Sequence, residues 1–185
     1  EDFEKSERIK VSFSDNTLVS VELGASIDNR DTNPIIISIS ELLECAEEMR
    51  KIELKDLNDN FFEAISKEWM LVTAGSKDKF NTMTASWGGT GELWGTPVAF
   101  VFIRPERYTF EFMERSECFT LSFLGYENKD IHKICGSKSG RDIDKIAATG
   151  LRPVFTEQGN VLYEQSRLSL ECRKLYTDTI KESCF

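Results

Sequence analysis

A mainly antiparallel β-barrel with brief helices is the fold class this sequence predicts, and three observations predict it. Short runs of alternating or β-branched residues recur at close spacing along most of the chain. They are separated by turns rich in Gly, Asn and Asp, with no βαβαβ rhythm that would build a doubly wound sheet. The glycine cluster "GGTGELWG" (88–95) lacks the Gly-x-Gly-x-x-Gly spacing and is followed by no helical pattern, which argues against a dinucleotide-binding Rossmann unit.

The totals bound the rest. A chain of 185 residues builds one good core with an appendage, hardly two full domains. With 40% hydrophobic and 30% charged residues it reads as a soluble globular protein. Its longest apolar stretch, around Pro97 to Ile103, is too short to span a bilayer, and no leader pattern opens it, so a cytoplasmic location without membrane contact is expected. Five cysteines without close pairs suggest reduced, buried thiols. One histidine, His132, rules out a His-rich metal site, and no metal is expected. The net charge of −9 argues against nucleic-acid binding. Residues 1–60 carry 15 acids and 7 bases and residues 61–185 carry 17 and 16, so the back of the chain remains able to receive a small anion.

Residues 1–55 read as an acidic ββ(β)α appendage to which the sequence assigns no role. "IKVSFSDNTLVSVEL" (9–23) predicts two strands around an Asp-Asn turn, "IIISIS" a third, and Leu42, Cys45, Ala46, Met49 and Ile52 recur at helical spacing. Residues 56–185 form the main domain. An amphipathic helix over 58–65 leads to a strand over 69–74 and a hairpin at "GSKDKF". In "NTMTASW" (81–87) Thr82, Thr84 and Ser86 alternate with Met83, Ala85 and Trp87, so one face of the strand carries hydroxyls and the other is apolar. That hydroxyl face is either simply wet or a ligand surface, and the glycines after it read as a loop. "PVAFVFIR" predicts a strand buried on both faces, "PERYTFEFMERS" a helix with Pro105 near its first turn, and "ECFTLSFLG" a further strand. "ENKDIHKICGSKSGRDIDKIAATG" predicts two helices around a Gly-Ser loop with Gly150 as C-cap, and the following run predicts two strands joined by a Gly-Asn turn.

Two segments could hold an anion. In "IRPERYT", Arg104, Arg107, Tyr108 and Thr109 sit where a strand meets a helix start, and arginine offers a fork of donors suited to phosphate. The plain alternative is surface pairing with Glu106 and Glu111. In "KICGSKSGRD", Lys133, Lys138 and Arg141 surround Ser139 and Gly140 just before a helix; the alternative is a simple connector. Hydroxyls, arginines and amides beside Trp87 and Trp94 suit a ligand that is phosphate at one end and aromatic at the other, which flavin mononucleotide (FMN) satisfies.

"FNTMTASWGG", "PVAFVFIRPERYTFEFMERSECFTLSFL" and "CGSKSGRDIDKIAATGL" together resemble the flavin reductase-like family, the flavoredoxin relatives with an FMN-binding split barrel. The resemblance spans roughly residues 58–180. It implies a six-stranded split barrel binding FMN in a homodimer, with an oxidoreductase activity fed by NADH or NADPH. It further implies that Asn81, Thr82, Met83, Thr84, Ala85, Ser86 and Trp87 border the flavin, that Arg104, Arg107, Tyr108 and Thr109 hold its phosphate, and that Ser139, Gly140 and Arg141 close that end. Relatives continue past the equivalent of "KESCF", so the main domain is expected to be truncated at its C-terminus. Flavin chemistry needs orientation more than a protein acid or base, and no residue receives a catalytic title; His132 is expected to be a packing or surface residue. Two other readings stay open: an FMN electron carrier served by a redox partner protein, and a non-catalytic split-barrel interaction module.

Overall fold

The structure, a computed structural model, describes residues 49–180 and the backbone of two strands ahead of them. Its contacts divide the chain into two units, Glu1–Glu48 and Met49–Phe185. In the first, β1 (Ile9–Phe13) and β2 (Val19–Leu23) pair antiparallel from Ile9↔Leu23 to Phe13↔Val19, as their alternation predicts. The expected Asp-Asn turn, third strand and start of the helix lie outside the described residues. Met49 to Glu53 are described, and they are not helical: Met49 and Ile52 are exposed, so no buried face holds this end of the predicted helix.

The second unit is mainly sheet with short helices. After a short 3-10 turn at Leu54–Asp56 comes α1 (Phe61–Glu63), where the Asn60 side chain accepts from Glu63 N at 3.4 Å, so the helix begins later than its periodicity suggests. The helix widens into a π-turn over Ala64–Glu68 and gives way to β3 (Met70–Ser76). A two-residue turn then leads to β4 (Lys79–Ala85). Next come β5 (Gly88–Leu93), β6 (Thr96–Val101), α2 (Tyr108–Arg115) and β7 (Cys118–Phe123). The chain finishes through α3 (Lys129–Ser137), α4 (Lys145–Thr149), β8 (Pro153–Phe155), β9 (Val161–Tyr163) and β10 (Leu168–Arg173). The central sheet runs β10-β7-β3-β4, all antiparallel, with β5–β6 and β8–β9 as separate ribbons. The sheets do not close on one another, which is the split barrel expected from the sequence.

Strand β3 is the centre of this arrangement, flanked by β4 and β7 and buried over its first five residues. Its alternation divides the core in two. Met70, Val72 and Ala74 pack with Met83, Ala85, Met113, Leu121 and Phe123 on one side, and Leu71 packs with Leu124, Cys135, Leu151, Val161 and Tyr163 on the other. A hydroxyl chain crosses the second side: Thr73 lies 3.1 Å from the Tyr163 hydroxyl and donates to Thr82 at 2.9 Å, and Thr82 donates to Val72 O at 3.3 Å. These groups are buried but mutually satisfied, so they cost little.

Several expectations change. The doubly buried apolar strand is β3, not β6: among the described residues β6 pairs with β5 alone, and Phe100 and Phe102 are half exposed. The glycines at 88–91 form strand β5 in that ribbon instead of a loop. Pro105 lies in the turn closed by Arg107 N to Arg104 O at 3.0 Å, and α2 starts only at Tyr108. The last run makes three strands, because Arg167 N bonds to Phe123 O at 2.9 Å and starts a new pairing with β7. Of the thiols, Cys135 is buried but Cys118 and Cys172 are only half-buried, while Cys45 and Cys184 lie outside the described residues. No described helix is long and apolar enough to cross a membrane.

One ionic knot ties together the neighbouring ends of β3, β7 and β10. Glu68, 1% exposed, accepts from Gly125 N at 2.6 Å and pairs with Arg167 Nη2 at 2.5 Å, while Arg167 Nη1 reaches Asp59 at 2.7 Å. Lys129 Nζ donates to Glu68 O at 3.0 Å and stands 3.4 Å over the Trp69 ring.

Candidate functional site

The fold brings three segments far apart in sequence to one place. Asn81, buried near the start of β4, donates through Nδ2 to the hydroxyl of Thr109 at 2.8 Å, and Thr109 is itself fully buried in the first turn of α2. The loop after α3 closes the third side: a Cβ added to Gly140 would stand 2.0 Å from Asn81 Oδ1 and 3.1 Å from Tyr108 Cδ1. Glycine is required there for that close approach. Arg141 lies 4.7 Å over the Tyr108 ring and pairs with Glu111, and Ser139 Oγ accepts from Arg141 N at 3.1 Å.

The arginines of the strand–helix junction separate in role. Arg107 has no described carboxylate partner and donates through Nη1 to Gly136 O at 2.8 Å, at the end of α3. Arg104 is exposed, 5.5 Å over the Trp87 ring and 3.9 Å from Glu106. Surface pairing therefore applies to Arg104 and Arg141, weakly for the former, and not to Arg107. The first turn of α2 has no side-chain cap at Arg107, so its leading N–H groups remain for a ligand or water. The five-residue α4 is different, because its N-cap Asp144 already accepts from Ile146 N and Ala147 N. The expected anion site at that helix start is thus filled by the chain's own carboxylate.

The hydroxyl face of β4 is neither wet nor open. Thr82 is buried with its hydroxyl spent on Val72 O, and Thr84 donates to His132 O at 2.7 Å on α3. Met83 and Ala85 face the first core, Ser86 is half-buried past the strand end, and Trp87 is exposed. What β4 still offers is its outer edge, since it is the last strand of the sheet. The Thr82 carbonyl lies on that edge, where Lys145 reaches it, so by antiparallel alternation the main chain of Thr84 points the same way. The cleft of about 360 Å³ at Glu68 and Arg167 is lined by none of these residues.

Two buried titratable groups support the site from beneath. Lys145, 6% exposed and not singled out by the sequence, donates to Thr82 O at 2.8 Å and to Cys135 O at 2.9 Å. Burial holds its pKa below the ordinary lysine value, helped by Arg107 and opposed by Cys135. A single lysine inside "RDIDKIAATG" gives no periodic sign of burial, which is why sequence reasoning missed it. His132 is buried, packs edge-on to Trp69 with ring centroids 6.0 Å apart, and leaves Nε2 without a partner among the described residues. Burial, then nearby Lys129, pushes its pKa down to about 4, with Glu68 opposing. The folded state thus favours neutral imidazole, and its contribution is complete above the ordinary value near 6.5 and lost as pH falls from there toward 4. Acid unfolding of a His132→Phe variant is expected to begin at lower pH than that of the parent chain, as read by circular dichroism from pH 7 to 4.

Known proteins share this fold. A family model described as "Flavin reductase like domain" matches residues 62–181. Among solved structures, an FMN-binding protein from Thermus thermophilus with bound 1-cyclohex-2-enone is 23% identical, with 71% of this chain and 72% of that one aligned at a TM-score of 0.56. Flavoredoxin of Desulfovibrio vulgaris (Miyazaki F) is 24% identical over 63% of this chain and 70% of its own, with a TM-score of 0.54. The NADH:FAD oxidoreductase SgcE6 of Streptomyces globisporus C-1027 is 18% identical over 60% and 66%, with a TM-score of 0.51. No curated protein sequence matches.

Proposed function

The chain belongs to the flavin reductase-like family, and on that premise we propose that it binds FMN beside Asn81, Thr109 and Gly140 and passes electrons from NADH or NADPH through it to an acceptor. The observation that carries this reading is the meeting of β4, the start of α2 and the loop after α3 through the Asn81–Thr109 bond and the Gly140 contact. The residues present fit the cofactor: cations and uncapped amides for the phosphate, and the outer edge of β4 at Thr84 for the polar rim of the ring. Arg104, Arg107 and the first-turn amides at Tyr108 and Thr109 hold the phosphate, Ser139, Gly140 and Arg141 close that end, and residues 81–87 border the ring. FMN supplies the hydride-accepting and electron-passing chemistry when bound. The protein's part is to bind it, orient it and leave one face accessible to nicotinamide. Support for the substrates comes from the names of the aligned structures, one for FMN binding and one for NADH:FAD oxidoreduction.

The assembly proposed is a homodimer in the cytoplasm. The β5–β6 ribbon leaves Phe100 and Phe102 half exposed and Trp94 94% exposed, an apolar surface suited to a second copy. An FMN electron carrier served by a redox partner is the second reading, favoured by the acidity of residues 1–60, which would dock a basic protein.

A visible absorption spectrum of the purified protein, before and after adding FMN and desalting, tests cofactor binding. Retained bands shifted from those of free flavin are expected, followed by NADH or NADPH oxidation in steady-state assays. A colourless protein that retains no FMN would leave the interaction-module reading. Retained flavin without nicotinamide oxidation would favour the carrier. Replacing Arg104 with Ala is expected to weaken FMN about tenfold, the loss of one charge-assisted bond in an exposed setting, without changing the melting temperature. Unchanged affinity by fluorescence quenching would remove Arg104 from the phosphate site.

A further inference from the structure

Lys145 is hard to explain as part of the fold alone. The residue is 6% exposed, and the partners of its ammonium are two carbonyl oxygens, Thr82 O on the outer edge of β4 and Cys135 O in the last turn of α3. No carboxylate pairs with it among the described residues, and the next carbonyl of α3, Gly136 O, is taken by a second cation, Arg107. Burying an ammonium without a counter-charge is expensive, and carbonyl dipoles with the negative end of α3 offset only part of that cost. A methionine would fill the same space without the buried charge, leaving Thr82 O and Cys135 O without this donor. Two cations without described carboxylate partners thus lie beside the junction of Asn81, Thr109 and Gly140, one bonded to Thr82 O and the other to Gly136 O.

We propose that Lys145 is a positioning residue of the FMN phosphate site: it ties the open edge of β4 to the end of α3 and supplies positive charge whose counter-ion is the ligand's phosphate. The proposal rests on the flavin reading of the site. It assigns Lys145 a role at a distance through Thr82 O, Cys135 O and the field it shares with Arg107, without contact to the ligand. Charge of this kind acts on the phosphate and not on the neutral ring, so its removal should separate two ligands that differ only there.

The test compares FMN with riboflavin, which lacks the phosphate, by fluorescence quenching on the full chain. Lys145→Gln keeps a donor for the two carbonyls and removes the charge, and Lys145→Met removes both. FMN affinity is expected to fall roughly tenfold or more in Lys145→Gln while riboflavin affinity holds within twofold. Equal losses for both ligands would overturn the proposal in favour of a structural role. Unchanged FMN affinity would overturn it outright, and so would failure of both variants to fold, since the ammonium would then serve the fold. Absence of FMN binding by the parent chain is a different result, and it removes the flavin reading itself.

Discussion

Replacing Arg167 with Met is expected to lower the unfolding free energy by about 3 kcal/mol. The cost comes from the residue left behind. Glu68 is 1% exposed, and its carboxylate takes donors from Gly125 N and from Nε and Nη2 of Arg167. Without the guanidinium a buried carboxylate keeps a single amide donor. Arg167 itself is 43% exposed in its side chain, which places the effect at the lower end for a broken buried pair. Its contacts also join Asp59, ahead of α1, to the start of β10, so the loss is expected to loosen both segments. Urea denaturation followed by tryptophan fluorescence measures it. A combined Glu68→Leu and Arg167→Met variant should recover much of the loss, because it removes the stranded charge. A single exchange costing under 1 kcal/mol would show that water or a shift of Glu68 already satisfies the carboxylate.

Replacing Gly140 with Val is expected to have the largest effect on ligand binding, a loss of FMN affinity of at least about a hundredfold. Its Cβ would fall 2.0 Å from Asn81 Oδ1, and Asn81 cannot retreat without giving up its 2.8 Å bond to Thr109. Either the loop moves out or the Asn81–Thr109 contact breaks, and both open the end proposed for the phosphate. The fold should survive, because Gly140 lies in a loop and neither core cluster includes it. A melting temperature within a few degrees of the parent, with FMN lost on desalting, is the expected pair of results. A folded variant with unchanged FMN affinity would place the flavin elsewhere on the chain.

Much of this arrangement is legible in the sequence because it depends on local pattern. Alternation in "NTMTA" makes a strand in any context, Gly150 ends α4 with φ of 68° as a C-cap glycine should, and the helix over "KDIHKICGS" follows from its apolar spacing. The family resemblance rests on such short segments in order, and the matched family model covers the same part of the chain. The order of strands is another matter. "PVAFVFIR" has the composition of a central strand yet forms half of a two-stranded ribbon, whereas "MLVTAGS" occupies the centre. Composition measures the preference for burial, and the number of neighbouring strands decides whether burial is available.

The same division runs through the candidate site. By itself the sequence determined that a hydroxyl-bearing strand, an arginine-rich strand–helix junction and a glycine-serine loop exist, because each is a run of adjacent residues with its own backbone preference. Tertiary structure alone decided that Thr82 and Thr84 spend their hydroxyls inside the protein, that Asp144 caps α4, that Arg107 turns to Gly136, and that Lys145 is buried beneath them. Except for the Asp144 cap, which is local in sequence, those outcomes are set by which polar group from another segment reaches the donor or acceptor first, and a buried group must take whatever partner the packing brings.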